Sequence, residues 1–309
     1  MAMLTAFLQA ILSLYFVQIS TCDLSRDNII DVLDTIDRHN RNPNKTFFLR
    51  FSDVSMLSAK EYKRRLGARM PLEMPNSKRF ENPQGFVAPE SIDWRQRGAV
   101  SRVKSQGNCG SCWAFAAVGS LEGQHVIRNG TLEEFSEQNL VDCADESYGN
   151  ARCKGGWLTA AFEYIRTNDG IDTEESYPYV AHNQTCRFKR DSVGETIHGY
   201  NVVPAEDEVS LKVNAVAAIG PIAVLIDAGH PSFQHYGGGV YSEEQCLSGW
   251  GLLNHAVLVV GYGTDPVGGD YWLVKNSWDT RWGEEGYIRM ARNRGNQCGI
   301  ATAAAYPIL

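Results

Sequence analysis

From Cys112 to Leu121 apolar and small side chains fill almost every position, and the run continues through Gly123 and Val126 to Arg128. Apolar on all sides rather than along one stripe, it predicts a buried helix closed by Asn129-Gly130. Leu158, Ala161, Phe162 and Ile165 recur at helical spacing and predict a second helix ending at Asn168-Asp-Gly170. Ser136 opens a short helix through Leu140 and Val141, and Cys143–Cys153 reads as a polar loop.

Beyond residue 200 the period changes. Val209, Val213, Val216 and Ala217 suggest one more helix, but Pro221–Ile226, Ala256–Tyr262, Tyr271–Lys275 and Tyr287–Met290 are apolar runs of strand character. Gly237-Gly-Gly239, Gly261, Gly263 and Gly268-Gly269 punctuate them and are expected as turns. The pattern predicts an α+β fold of two lobes with a cleft between them: about 88–198 mainly helical, about 199–309 a β-barrel-like sheet.

Residues 23–87 look different. They are polar, basic in patches and free of cysteine. Ile29, Val32, Leu33 and Ile36 form a helical stripe ending at His39-Asn40, Phe47–Asp53 alternates like a strand, and Leu57–Leu66 reads as a short helix. Met70–Pro89 holds four prolines and reads as an extended linker. Ahead of all this, residues 1–22 carry Leu4, Phe7, Leu8, Ile11, Leu12, Leu14, Phe16 and Val17 and end in Ser20-Thr-Cys22, the length and ending of a secretory signal peptide. No later run is long and apolar enough to span a bilayer.

Net charge changes the picture only by exclusion: −7 over 309 residues, without a long charge run, gives no electrostatic basis for binding nucleic acid. Cysteine content says more. Of eight cysteines, Cys22 falls at the edge of the signal; the remaining seven, in an oxidising compartment, suggest three bridges and one free thiol, with 15 pairings open. Asn44, Asn129 and Asn183 head sequons and are candidate glycan sites.

Cys112 starts the buried helix, where free N–H groups and the positive dipole end favour an anion, so its thiol is expected to ionise readily and act as a nucleophile. A base must reach it. Among seven histidines, His255 stands directly before the apolar strand Ala256–Val260, which would hold its ring rigidly at a lobe surface, while His230 and His235 lie among Gly, Pro and Ser and read as loop residues. His255 follows Cys112 by 143 residues. Cys109, Cys112 and His255 do not form a zinc spacing, and no metal or cofactor is implied.

Cys109-Gly-Ser-Cys112-Trp113, preceded by Gln106 and followed by Asn254-His-Ala256 and Asn276-Ser-Trp278 in that order, resembles the papain/cathepsin family of cysteine proteases from about Ala88 to Leu309, and more weakly back to Asp31. Ile300-Ala-Thr-Ala-Ala-Ala-Tyr-Pro307 and Asp227-Ala-Gly-His230 resemble its cathepsin L-like branch. The resemblance implies a papain-like two-lobe fold and a monomeric cysteine endopeptidase, lysosomal or secreted. It assigns Cys112 as nucleophile, His255 as base, Asn276 as the partner orienting the imidazole, and Gln106 as side-chain donor to the oxyanion. It places Trp278 over the Asn–His bond and implies bridges Cys109–Cys153, Cys143–Cys186 and Cys246–Cys298.

Further implications concern ligands. Gly155 and Gly156 would present backbone to an extended peptide substrate, and Trp278 and Trp282 border the groove. Trp157, Leu158, Leu225, Leu253, Ala256 and Ala303 would line the pocket for the residue two before the cut. That apolar lining disfavours a basic residue, and Leu225, larger than the branch's usual Ala, favours aliphatic over bulky aromatic groups. Residues 23–87 would be an inhibitory prosegment lying backwards through the groove, and cystatin-type proteins would be external inhibitors. Val32, Phe47 and Leu49 depart from the family's prosegment signatures, and the first half of its long helix is missing, so the prosegment is expected to be shortened. In the family, a glycine stands at Asp279. Two rival readings remain: a catalytically idle binding or antigenic homologue, and a dithiol oxidoreductase using Cys109 and Cys112.

Overall fold

The computed structural model describes residues 26–71 and 86–309. The signal-like stretch 1–22 and most of the proline-rich linker lie outside the described residues.

The N-terminal segment forms helix α1 (Arg26–Asn40), strand β1 (Phe47–Leu49), a 3-10 turn (Asp53–Met56) and helix α2 (Ala59–Arg65). The alternating run after Phe47 thus makes a strand only to Leu49. Asn40 at the end of α1 clamps that strand, its Nδ2 donating to Leu49 O (2.9 Å) and its Oδ1 accepting from Leu49 N (2.8 Å). Ser58 and Glu61 form a capping box at the start of α2.

After β2 (Ile92–Asp93) come α3 (Cys112–Asn129), α4 (Glu137–Cys143) and α5 (Leu158–Thr167). Helix α3 is buried from Cys112 to Gly123 except at half-buried Phe115, as its near all-round apolarity demands, and ends on Gly130 in the left-handed conformation. Short strands β3 (Ile171–Asp172) and β4 (Val193–Glu195) pair with each other. The region expected as a helix near Val209 is a single α turn, Glu208–Ser210, that widens into a π-helix, Leu211–Val216.

Strands β5 (Gly199–Val202), β6 (Ile222–Ile226), β7 (Tyr236–Tyr241), β8 (His255–Asp265), β9 (Gly269–Lys275), β10 (Tyr287–Ala291) and β11 (Ala304–Ile308) build the main sheet in the order β1-β7-β10-β9-β8-β6-β11-β5, with β2 on β8. Strand β1 adds antiparallel to β7, so the N-terminal segment extends the sheet. Gly237–Gly239 do not form a turn. They lie inside β7, where a side chain at Gly237 or Gly238 would strike the Phe48 ring lying across them. Gly261 and Gly263 likewise sit within β8, and Gly261 faces the Ile92 carbonyl of β2.

Among the described residues two large hydrophobic cores form, beside a small third one of Leu258, Val260 and Leu273, and single strands feed both large ones. Along β6, Ile222, Val224 and Ile226 point into the core of the sheet lobe, whereas Ala223 and Leu225 point into the helical core with Cys112, Trp113, Leu121 and Phe162. The expected division near residue 198 is crossed from both ends: Ile92 and Trp94 pack in the sheet core, Ala303 and Ala305 in the helical one. Buried Lys104 ties the helices together, with Nζ 3.1 Å from Glu122 and 2.9 Å from Glu137, and Lys275 of β9 donates to Ser101 O at 2.8 Å. Disulfides join Cys109–Cys153, Cys143–Cys186 and Cys246–Cys298.

Candidate active site

Helix α3 and strand β8 deliver two reactive side chains to one place. Cys112 is the first residue of α3, fully buried, and the free thiol among the described cysteines. His255 is the first residue of β8, and the N–H of its neighbour Ala256 reaches Cys112 Sγ at 3.4 Å. Since Cys109 is bridged to Cys153, the Cys-x-x-Cys pair offers no dithiol, which removes the oxidoreductase reading.

The His255 ring has distinct ends. Nε2 lies 2.8 Å from Asn276 Oδ1, and that oxygen also accepts the Ser277 N–H at 2.8 Å. Two donors on one atom fix the amide as an acceptor towards the ring, so Nε2 carries the proton and Nδ1 is the free base. Nδ1 is buried and has no hydrogen-bond partner. Trp278 lies over the imidazole with ring centroids 4.8 Å apart.

Gln106 is equally constrained. Its Oε1 accepts from Ser277 Oγ (2.7 Å) and from the indole Nε1 of Trp278 (3.0 Å), and an indole N–H can only donate. The amide nitrogen therefore points the other way, to Cys109 O (2.7 Å) and Arg65 O (3.0 Å). Ser277 had no recognisable signal of its own in the sequence, yet its N–H and hydroxyl orient both amides. Asp279 adopts φ +69°, a left-handed conformation that glycine takes freely and Asp tolerates.

Arg65 belongs to the N-terminal segment, which fills the cleft. Gly156 N donates to Gly67 O (2.9 Å), Arg69 N to Gly156 O (2.8 Å) and Ala68 N to Asn254 O (3.0 Å), and Ala68 pairs with Gly156 in the parallel sense. At Gly67 an added Cβ would run into the Gly110 carbonyl, so only glycine brings the chain this close to the nucleophile's loop. Gly155, beside Gly156, has φ +118°. Trp157, Leu158, Leu225, Leu253, Ala256 and Ala303 fall in one buried cluster, with Ala68 and Met70 packed against it. Trp282 is fully buried among Phe233, Tyr236 and Trp278 with the cleft filled, and its indole N–H donates to the Gln234 carbonyl at 3.2 Å.

Burial overrides the dipole in this closed state. It pushes the Cys112 thiol up to about 11, with the Ala256, Gly67, Trp113 and Cys112 amides pulling only part of the way back. It holds His255 down at about 4 against the opposing Asn276 bond. While the cleft is filled, burial thus works against the readily ionised thiol that the helix position alone predicts. His235 departs from its reading as a loop residue: it is buried, its Nδ1 lies 2.9 Å from Ser55 Oγ of the N-terminal segment, and burial lowers it to about 4.

Asp227, His230 and Cys246 bring ligating atoms within 4.8 Å of one another, but Cys246 is in a disulfide and two donors are too few for a metal centre. Asn44, Asn129 and Asn183 are all exposed. Asn129 Nδ2 lies 3.0 Å from His125 Nδ1, and Asn183 Oδ1 accepts the Cys153 N–H at 3.0 Å.

The family profile described as "Papain family cysteine protease" matches residues 88–308. This chain is a papain-family cysteine protease. It is 50% identical over 280 residues to a "Cathepsin L-like" protein of Caenorhabditis elegans, covering 89% of this chain and 82% of that one. It is 54% identical over 230 residues to "Cathepsin L1" of Drosophila melanogaster, covering 74% and 61%. Among solved structures, digestive procathepsin L2 proteinase of Tenebrio molitor larval midgut superposes with a TM-score of 0.86 at 38% identity, covering 92% of this chain and 91% of that chain. Recombinant stem bromelain precursor gives 0.84 at 35% identity, covering 100% and 99%. The protease thus has the two-lobe α+β fold of its family, falls in the cathepsin L-like branch, and resembles precursor forms that retain their N-terminal segment.

Proposed function

We propose that this chain is a cysteine endopeptidase made as a zymogen, with Cys112, His255, Asn276 and Gln106 as its working residues. The contact that carries the reading is the approach of the β8 N-terminus to Sγ beside an imidazole whose free nitrogen is Nδ1. Once the cleft opens, water and the α3 dipole favour the thiolate and the imidazolium over the buried neutral pair. The thiolate attacks the scissile carbonyl carbon. The oxygen, now negative, takes hydrogen bonds from Gln106 Nε2 and the Cys112 N–H. Collapse expels the amine, which leaves with the Nδ1 proton. His255 then deprotonates a water that hydrolyses the thioester, and the thiol is released.

Residues 23–87 act on this reading as an intramolecular inhibitor. The Arg65 carbonyl already occupies the Gln106 donor, and pairing parallel to Gly156 runs the segment against the direction of a substrate. Residues 1–22 would direct the precursor into the secretory pathway and be removed there, for a lysosome or for secretion. Residues 88–309 would be the mature monomeric enzyme, preferring an aliphatic residue two before the cut because Leu225 narrows an apolar pocket.

The test is acid-processed protein against a peptide library, with Cys112→Ala and Asn276→Ala alongside. Loss of all turnover in Cys112→Ala, with a lowered kcat and intact folding in Asn276→Ala, is expected. An unprocessed chain that no thiol-directed epoxide labels would instead favour the idle homologue.

A further inference from the structure

The loop from Gln106 to Cys112 carries both oxyanion donors, one at each end, and the Tyr179 side chain outside it touches Gln106 at one end and Ser111, next to Cys112, at the other. Tyr179 Oη donates to Gln106 O at 2.9 Å and lies 2.6 Å from Ser111 Oγ. With its own proton committed to Gln106 O, Tyr179 accepts the proton of Ser111. Its ring packs edge-on against Phe115 of α3, with centroids 4.8 Å apart, and its N–H donates to Glu174 at 3.0 Å, so the hydroxyl is held from three sides.

The consequence lies in what Ser111 does not do. Ser111 is the N-cap of α3, and a serine there ordinarily accepts a hydrogen bond from an amide of the first turn. Here it makes no such cap. Ala114 N and Phe115 N instead use the Ser111 carbonyl, at 2.8 and 3.3 Å, and the Cys112 and Trp113 amides face the sulfur. A serine free to rotate would compete with the sulfur for the Trp113 N–H, the second amide of the helix.

We propose that Tyr179 is a positioning residue for the oxyanion site: its hydroxyl pins the Gln106 end of the loop and holds the Ser111 hydroxyl away from the Trp113 amide that serves the nucleophile. This rests on the peptidase reading above. No sequence pattern points to Tyr179, which lies 67 residues beyond Cys112 in a Tyr-Pro-Tyr stretch without helical or strand period.

Tyr179→Phe keeps the ring on Phe115 and removes only the hydroxyl. In the processed full-length enzyme kcat should fall about tenfold, the loss of roughly one hydrogen bond's contribution, with KM within about twofold. Affinity for a peptide aldehyde, which forms a tetrahedral adduct, should fall by the same factor. The acid limb of kcat/KM, set by thiolate formation, should move to higher pH as Ser111 captures the Trp113 amide. Ser111→Ala removes the competing hydroxyl, so the double variant should recover part of the Tyr179→Phe loss. Unchanged kcat, aldehyde affinity and pH limb in a folded Tyr179→Phe would overturn the proposal, as would strictly additive effects in the double variant. If the single variant fails to fold, Ser111→Thr decides. It keeps the hydroxyl and its bond to Tyr179 and should leave the aldehyde affinity and pH limb near wild type, as should Ser111→Ala; a tenfold loss of aldehyde affinity in a folded Ser111→Ala would overturn the proposal. Cys112→Ala in the same assay guards the underlying reading, since turnover there would sink the peptidase assignment and leave this one without an object.

Discussion

Up to Tyr62 the N-terminal segment meets the rest of the molecule with buried side chains as well as with the β1–β7 pairing; past Arg64 it meets it mainly with backbone. Phe47 is buried against Tyr236 and Tyr241, Tyr62 stands edge-on to Trp278 and donates to Ala228 O at 2.6 Å, and Gln234 reaches back to Val54 O at 2.8 Å. Past Arg64 the hydrogen bonds are made by peptide groups to Gln106, Gly156 and Asn254, made possible by a glycine, with only Ala68 and Met70 packed on the apolar cluster. Burial of aromatic surface supplies affinity in proportion to area, whereas backbone pairing fills the cleft with little side-chain burial. The first half is an anchor and the second a plug, and each should fail in its own way.

The largest effect is expected from the anchor. Phe47→Ala removes a buried ring at a cost of about 3 kcal/mol, raising the fraction of open cleft more than a hundredfold. The rate of epoxide labelling of Cys112 in the intact chain at neutral pH measures it. A rate within tenfold of wild type would place the anchoring elsewhere. Gly67→Ala attacks the plug: its Cβ meets backbone that cannot swing aside, so about 1–3 kcal/mol of strain should speed labelling ten- to a hundredfold. Amide exchange of Phe47 and Leu49 should stay slow in that variant, because β1 remains docked. Equal loosening of both would erase the distinction between the two halves.

Acid acts on the anchor. Burial pushes the His235 imidazole, which faces Ser55, to about 4, so it binds fewer protons in the closed state than in the open state between about 6.5 and 4. Closure is therefore favoured above about 6.5 and weakens as pH falls through that window, by up to about 1.4 kcal/mol per pH unit once release exposes the ring. His255, also held at about 4, and Cys112, raised to about 11, offset each other: on opening to the thiolate–imidazolium pair the proton His255 gains is the one Cys112 gives up. Labelling against pH should show opening on acidification; His235→Gln should flatten most of that dependence. The smallest effect belongs to the ion pair between Asp53 and Arg281, both largely exposed. Asp53→Asn should change labelling less than about fivefold at low salt and not at all at high salt.

What could be read from the chain follows the same physics. Helix α3 was legible because a helix buried on all sides must be apolar on all sides, and β6, β8 and β9 because buried strands are apolar runs. Cys112 and His255 stood out through their places at the ends of such elements. Strands β1, β2 and β11 were partly or wholly hidden, since pairing between distant residues leaves no local period. The glycines of β7 misled, because what they accommodate is the Phe48 ring, more than 180 residues away in sequence. Ser277 and Tyr179 were invisible for a related reason: a hydroxyl that orients another residue's amide has no sequence spacing to betray it.

Strand β6 sends alternate side chains to two cores, and this bears on how the protein comes apart. Neither half retains a complete interior if the other melts, since Ala223 and Leu225 would lose their neighbours on one side and Val224 and Ile226 on the other. The calorimetric trace of the processed enzyme should therefore show one heat-absorption peak rather than two, with lobes that hinge open at the cleft yet unfold only together.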